Sequence, residues 1–245
     1  GGTVVHINAG IAAVAAAILV GRRKNPGAAP HNVPFVVLGA GLLWFGWFGF
    51  NAGSQLAADA VAVSAFIVTN TAAAMSALTW GLISHIRTGK MSAVGVATGA
   101  VAGLVAITPA SGYVGVMGSL GIGAAAGAVC FIAVEIINRT NLDDALDVFA
   151  VHGIGGIVGA LLTGVFAVEA IGGIPGLVEG NGGALIANFI SVVATLIYSL
   201  LATLIILFIL NKIPGLGLRV VERNEDDGLD ISAHGERGVV RDGAD

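Results

Sequence analysis

Seven apolar stretches divide this sequence, at approximately 3–20, 34–52, 60–86, 93–108, 115–138, 146–167 and 183–211. A hydrocarbon core of about 30 Å takes roughly 20 apolar residues of helix, and lipid offers no partner to an unpaired backbone group. The pattern therefore predicts an all-α, polytopic transmembrane helix bundle. The fourth run is short and rich in Gly, so it is the weakest of the seven. Charged residues make up 11% of the chain against the roughly one quarter of a soluble domain, so water is the wrong solvent for most of it. The net charge of −4 argues against a nucleic-acid partner, which would need a basic face.

If the spans are real, alternate connections share a side, and Lys and Arg should collect on one of them. Arg22, Arg23 and Lys24 follow the first run, Arg87 and Lys90 the third, Arg139 the fifth, and Lys212, Arg219, Arg223, Arg237 and Arg241 the seventh. These are all eleven. The opposite connections carry only Asp59, Glu169 and Glu179. This places the C-terminus in the cytoplasm of a multi-pass cell-membrane protein in contact with lipid, with residues 1–211 as the membrane domain and 212–245 as a solvated tail. The sequence opens on Gly1 inside an apolar run, and its first basic residues follow that run instead of preceding it. It reads as a piece of a longer chain and not as a signal peptide.

Small residues recur at four-residue spacing in Gly49/Gly53, Gly95/Gly99/Gly103, Gly123/Gly127 and Gly155/Gly159, the pattern of helices that approach closely in lipid. Pro109 marks a turn between the fourth and fifth runs. Cys130 is single, and no Cys/His cluster has metal-ligand spacing, so neither a cofactor nor an enzymatic centre is expected.

An ionisable residue inside a span is costly and is a site candidate until excused. His85 falls at the end of the third run, His31 in a Pro-rich loop and His234 in the tail, while Asp143, Asp144 and Asp147 can cap the start of the sixth. His6 and His152 are left. Each stands in an apolar helix beside small residues, in Val-Val-His6-Ile-Asn and Ala-Val-His152-Gly-Ile, and the two helices run in opposite directions. Either alone reads as a satisfied core histidine; opposed helices with matching histidines are the trace of an inverted repeat with a path at its interface. His6 is 16 residues from Arg22, about 24 Å of helix, and His152 is 8 from Asp144, about 12 Å, so equal depth does not follow. If the rings meet, one shared proton would fix complementary tautomers and leave two nitrogens facing a lumen.

A second constellation is Trp44-Phe-Gly-Trp47-Phe-Gly-Phe50-Asn-Ala-Gly-Ser54. It reads either as an interfacial aromatic belt or as a cation site made of aromatic faces and a hydroxyl acceptor.

The segments Gly1-Gly-Thr-Val-Val-His6-Ile-Asn-Ala, Gly46-Trp-Phe-Gly-Phe-Asn-Ala-Gly-Ser54, Val105-Ala-Ile-Thr-Pro-Ala-Ser-Gly-Tyr113, Asp147-Val-Phe-Ala-Val-His152-Gly and Gly228-Leu-Asp-Ile-Ser-Ala-His-Gly-Glu236 resemble, in order, the ammonium transporter family (Amt/Mep/Rh). The resemblance implies an eleven-helix fold of two inverted halves, of which this chain would hold the last seven spans. It also implies a homotrimer with a pore for ammonium and ammonia in each subunit. His6 and His152 match the paired pore histidines of a proton relay, Phe50 a gate phenylalanine, Ser54 the hydroxyl of an outer ammonium site, and Trp47 a vestibule aromatic. Gly228, Asp230, His234 and Glu236 match the tail segment through which such transporters answer nitrogen-regulatory P-II proteins. The other gate phenylalanine, the aromatic partner of Ser54 and a structural acid would precede Gly1, so the 245 residues alone are not expected to transport. The residues themselves leave three alternatives open: an ammonium sensor on the same fold, a proton-coupled carrier for another solute, and a haem-binding electron carrier with the two histidines as axial ligands.

Overall fold

The computed structural model describes residues 1–27, 29–236 and 238, and among them the regular structure is helical. Arg237 and Arg241, counted above among the tail's basic residues, lie outside the described residues.

The predicted runs become α1 (Gly2–Val20), α2 (Val33–Ala52, prolonged by a 3₁₀ turn at Gly53–Gln55), α3 (Ala60–Thr88), α4 (Ala93–Ile107), α5 (Val116–Ile137), α6 (Phe149–Phe166) and α7 (Gly182–Lys212). Six of them are long and apolar enough to cross a membrane; α4, with 15 residues, is shorter. This is a multi-pass membrane protein in which α4 does not by itself meet the length of a span. Local signals set the ends. The Asn32 side chain accepts from Phe35 N to start α2, Asp59 accepts from Val61 and Ala62 to start α3, and Ser92 accepts from Gly95 to start α4. Gly89, at φ 74°, closes α3 in the left-handed conformation that a Cβ disfavours.

The core is built on close approach. A Cβ at Gly103 or Gly123 would run into the carbonyl of Ala72, one at Gly127 into that of Ser76, and one at Gly159 into that of Ala106. These contacts clamp α3, α4, α5 and α6 backbone to backbone, as the glycine spacing predicts. Gly49 and Gly53 behave differently: a Cβ at either meets nothing within 4 Å, so on α2 the same spacing marks an open face and not a packed one.

The charges segregate as the loop arithmetic requires. Arg23 and Asp143 form a forked pair, Arg22 reaches Asn141, and Arg87 pairs with Glu135, all at one end of the bundle. The tail returns to this basic end. Two short helices, α8 (Glu222–Asp227) and α9 (Leu229–His234), follow α7. Arg219 donates to the carbonyls of Val20 and Arg22 and to Glu225, whose carboxylate accepts from the backbone of Lys24. The Lys24 ammonium binds Glu222 and Asp226. The Lys24 amide, then Arg219, hold the Glu225 carboxyl below its ordinary range.

Candidate functional site

Two of the helices begin on π-helical turns, Gly2–Ile7 in α1 and Phe149–Gly153 in α6, and each turn carries one of the histidines. A π turn widens the helix by a residue and swings a side chain out of the α-helical register, which is why such turns recur at functional sites. Asp144 prepares the second one: its carboxylate accepts from the amides of Val148 and Phe149 at 2.8 Å and of Ala150 at 3.3 Å. Asp147, in between, sits at φ 53°, an unusual conformation for a residue other than Gly.

The two turns meet. His6 Nδ1 lies 3.2 Å from His152 Nδ1, so the imidazoles share a hydrogen bond across 146 residues of sequence. His6 is buried and its ring stacks against Trp47 at 5.3 Å with 13° between planes. The second nitrogen of His6 does not face open space as the sequence suggests: Nε2 lies 3.3 Å from Thr108 Oγ1. Among the described residues His152 Nε2 has no such partner. A metal ion held by both facing nitrogens would require roughly 4 Å between them, twice the usual metal–imidazole bond. At 3.2 Å the pair is too close for an iron between its facing nitrogens and suits a proton instead.

Around the pair the walls are apolar. A cavity of about 640 Å³ is lined by both histidines with Trp47, Phe50, Leu43 and Gly46. A second, of about 560 Å³, lies towards the end that bears Asp59 and is lined by Phe50, Asn51, Ser54, Gln55, Thr108 and Tyr113. Phe50 borders both, with its ring edge-on to His6 at 6.1 Å. Ser54 donates its hydroxyl proton to Phe50 O at 2.5 Å, which leaves its oxygen an acceptor on the second cavity. Trp47 is buried one turn away, beside the histidines and not at the mouth, with its indole N–H donated to Thr108.

In the tail, Gly228 takes φ 88° between α8 and α9 and its carbonyl accepts from Ser232. Asp230 accepts from the backbone of Glu236 and Gly238, and His234 is exposed at the end of α9. The bonds of Gly228, Asp230 and Glu236 stay within the tail, next to α8, whose Glu222, Glu225 and Asp226 bind Lys24 and Arg219.

Thr108 is the residue that sequence reasoning missed. It stands 102 positions from His6, and a Thr before a Pro at a helix end ordinarily reads as a turn. Asn51 is similar: buried, it donates to Thr69 and ties α2 to α3.

The Arg23–Asp143 pair joins the loop after α1 to the connection before α6. The bonds donated by Arg23 hold the Asp143 carboxyl below its ordinary value. Its stabilising contribution is thus present above the unfolded carboxylate value near 3.9 and is lost as pH falls through the lower native one. Because Arg23 is partly exposed, the pair is worth at most about 1 kcal/mol. In thermal unfolding in detergent, the gap between wild type and Asp143→Asn is expected to be widest above about pH 4 and to close below it; a gap that widens with acid contradicts this.

A model of the Ammonium Transporter Family matches residues 1–239. Over 238 residues the chain is 50% identical to an ammonium transporter of Aquifex aeolicus, covering 97% of this chain and 56% of the relative. It is 44% identical over 239 residues to the ammonium transporter Amt1 of Archaeoglobus fulgidus, covering 96% and 60%. Among solved structures, that of Saccharomyces cerevisiae Mep2 matches with TM-score 0.86 at 36% identity, over 91% of this chain and 53% of that one. A structure titled Sensor Amt Protein matches with TM-score 0.84 at 34% identity, over 95% and 59%. The chain thus spans little more than half the length of the relatives it matches.

Proposed function

The chain belongs to the ammonium transporter family, and on that footing we propose that it forms part of a membrane path for ammonium and ammonia in which His6 and His152 carry the proton. The observation that bears the reading is the Nδ1–Nδ1 contact of 3.2 Å inside an apolar cavity. Such a pair offers a small polar solute one acceptor nitrogen and a shared proton, while the surrounding hydrocarbon walls give a desolvated cation no compensation. Ser54 and the aromatic ring of Phe50, on the neighbouring cavity, suit recruitment of a cation, which a hydroxyl oxygen and a π-face both favour. Phe50 then stands as the gate between recruitment and passage. The basic end faces the cytoplasm on this reading, residues 1–211 are the membrane domain, and the tail from 212 to 245 is regulatory. Its residues Gly228, Asp230, His234 and Glu236 would meet a P-II-type protein, and the working assembly is a homotrimer in lipid.

The test is uptake of labelled methylammonium by liposomes carrying the complete protein, with unlabelled ammonium as competitor. Uptake that ammonium suppresses supports the proposal; uptake of another solute that ammonium leaves untouched overturns it. The docked tail, together with the similarity to a chain titled a sensor, supports a second reading in which the protein reports ammonium without conducting it. Absence of flux combined with ammonium-dependent signalling through the tail would favour that one.

A further inference from the structure

Thr108 is bound in three directions, and the way it is bound decides where the protons of the histidine pair sit. A hydroxyl has one proton and two lone pairs. Trp47 Nε1 can only donate, and it does so to Thr108 Oγ1 at 2.9 Å. Leu104 O can only accept, and it lies 2.8 Å from the same oxygen. The reason for this second bond is local. Pro109 follows and brings no amide, the last turn of α4 tightens, and the Thr108 amide goes to Val105 O, so Leu104 O takes the hydroxyl proton instead. One lone pair is left for His6 Nε2 at 3.3 Å, and that nitrogen must therefore bear hydrogen. A neutral His6 then has a bare Nδ1, the hydrogen in the 3.2 Å bond belongs to His152 Nδ1, and His152 Nε2 is bare. The reverse order would need the Thr108 proton for His6 and would leave a buried carbonyl without it.

We infer that Thr108, held by Trp47, is a positioning residue that gives the histidine pair a fixed polarity, with its one free acceptor at His152 Nε2. The stacked indole keeps the His6 ring in the plane that this bond requires. A solute N–H beside His152 finds a lone pair, whereas beside His6 it finds the ring edge. A proton arriving at the pair enters at His152 Nε2 as His152 passes its Nδ1 hydrogen to His6 Nδ1, which leaves His6 with hydrogen on both nitrogens, and it departs by the reverse of the same two transfers. The order of tautomers rests on the hydrogen bonds; its consequence for a solute rests on the conduction reading.

The experiment is ¹⁵N–¹H solid-state NMR of histidine-labelled complete protein in lipid bilayers without ammonium, with the rings assigned from His6→Ala and His152→Ala. In the wild type, hydrogen on His6 Nε2 and His152 Nδ1 is expected to exceed the reverse order by about tenfold, the leverage of one hydrogen bond. Thr108→Val is expected to bring the two orders to comparable population, and Thr108→Ser to restore the wild-type order. A wild type with His6 Nδ1–H, or with an equal mixture, overturns the inference without any variant, and so does an unchanged order in a folded Thr108→Val. Loss of ammonium flux with the tautomer order intact would instead count against the conduction reading alone.

Discussion

Proton-coupled ammonium current is expected to fall by at least about a hundredfold in the complete protein when His152 is replaced by alanine, the range in which a positioned proton-transfer group contributes. The substitution removes the free acceptor nitrogen and leaves His6 Nδ1 facing an apolar void, since the remaining walls near it are Leu43, Gly46, Trp47 and Phe50. It does not threaten assembly in the same degree. His152 is only partly buried, and the clamp that holds α6 to α4 lies one to two turns away, at Gly155 against Val105 and Gly159 against Ala106. Solid-supported-membrane electrophysiology, with native-size analysis of the same preparation, separates the two effects. An assembled variant with undiminished current would remove the proposed role of the pair.

The helices were legible because lipid makes their signal coarse and strong. Backbone groups must be satisfied within each segment, so run length and flanking charge locate the seven helices to within three residues at each end. Depth was not legible. The 24 Å and 12 Å estimates take Arg22 and Asp144 as equivalent markers of the boundary, but Asp144 is consumed as a cap on the π turn and Asp143 beside it is nearly buried against Arg23. A carboxylate that is satisfied by protein marks no water interface. The two π turns left no trace either, because a single inserted residue in a run of Val, Ala, Gly and Ile changes no periodicity that such an apolar face displays.

Thr108 shows the same limit at the level of chemistry. Its value comes from three partners on three segments, Trp47 on α2, Leu104 on α4 and His6 on α1, and only Leu104 is near Thr108 in sequence. Gly49 and Gly53 show the opposite error, in which a correct spacing had no neighbour to receive it. The tail was readable as charged but not as ordered. What orders α8 and α9 is Arg219 reaching the carbonyls of Val20 and Arg22, nearly two hundred residues back.

Gly10→Ala is expected to do the most damage of any one-carbon change at the histidine site. Gly10 is four residues after His6 and faces Gly153, which follows His152, so the two histidine helices cross where neither has a side chain. A Cβ on Gly10 would collide with the Cα and amide nitrogen of Gly153, atoms that can yield only if a helix moves. Separation of the helices pulls directly on the 3.2 Å Nδ1–Nδ1 bond, which has 0.3 Å or so to lose before it ceases to be one. Overpacking of this kind costs about 3 kcal/mol, and here the flux should fall with the stability. The reciprocal change is gentler: a Cβ on Gly153 first meets the ring of Phe149, whose χ angles can turn, and only then the Cα of Gly10 at 3.5 Å. Thermal unfolding in detergent and methylammonium uptake in liposomes should therefore rank wild type above Gly153→Ala and Gly153→Ala above Gly10→Ala. Equal tolerance of the two alanines would mean that the crossing is looser than its backbone contact requires, and that the histidines are held together by something other than the helices that carry them.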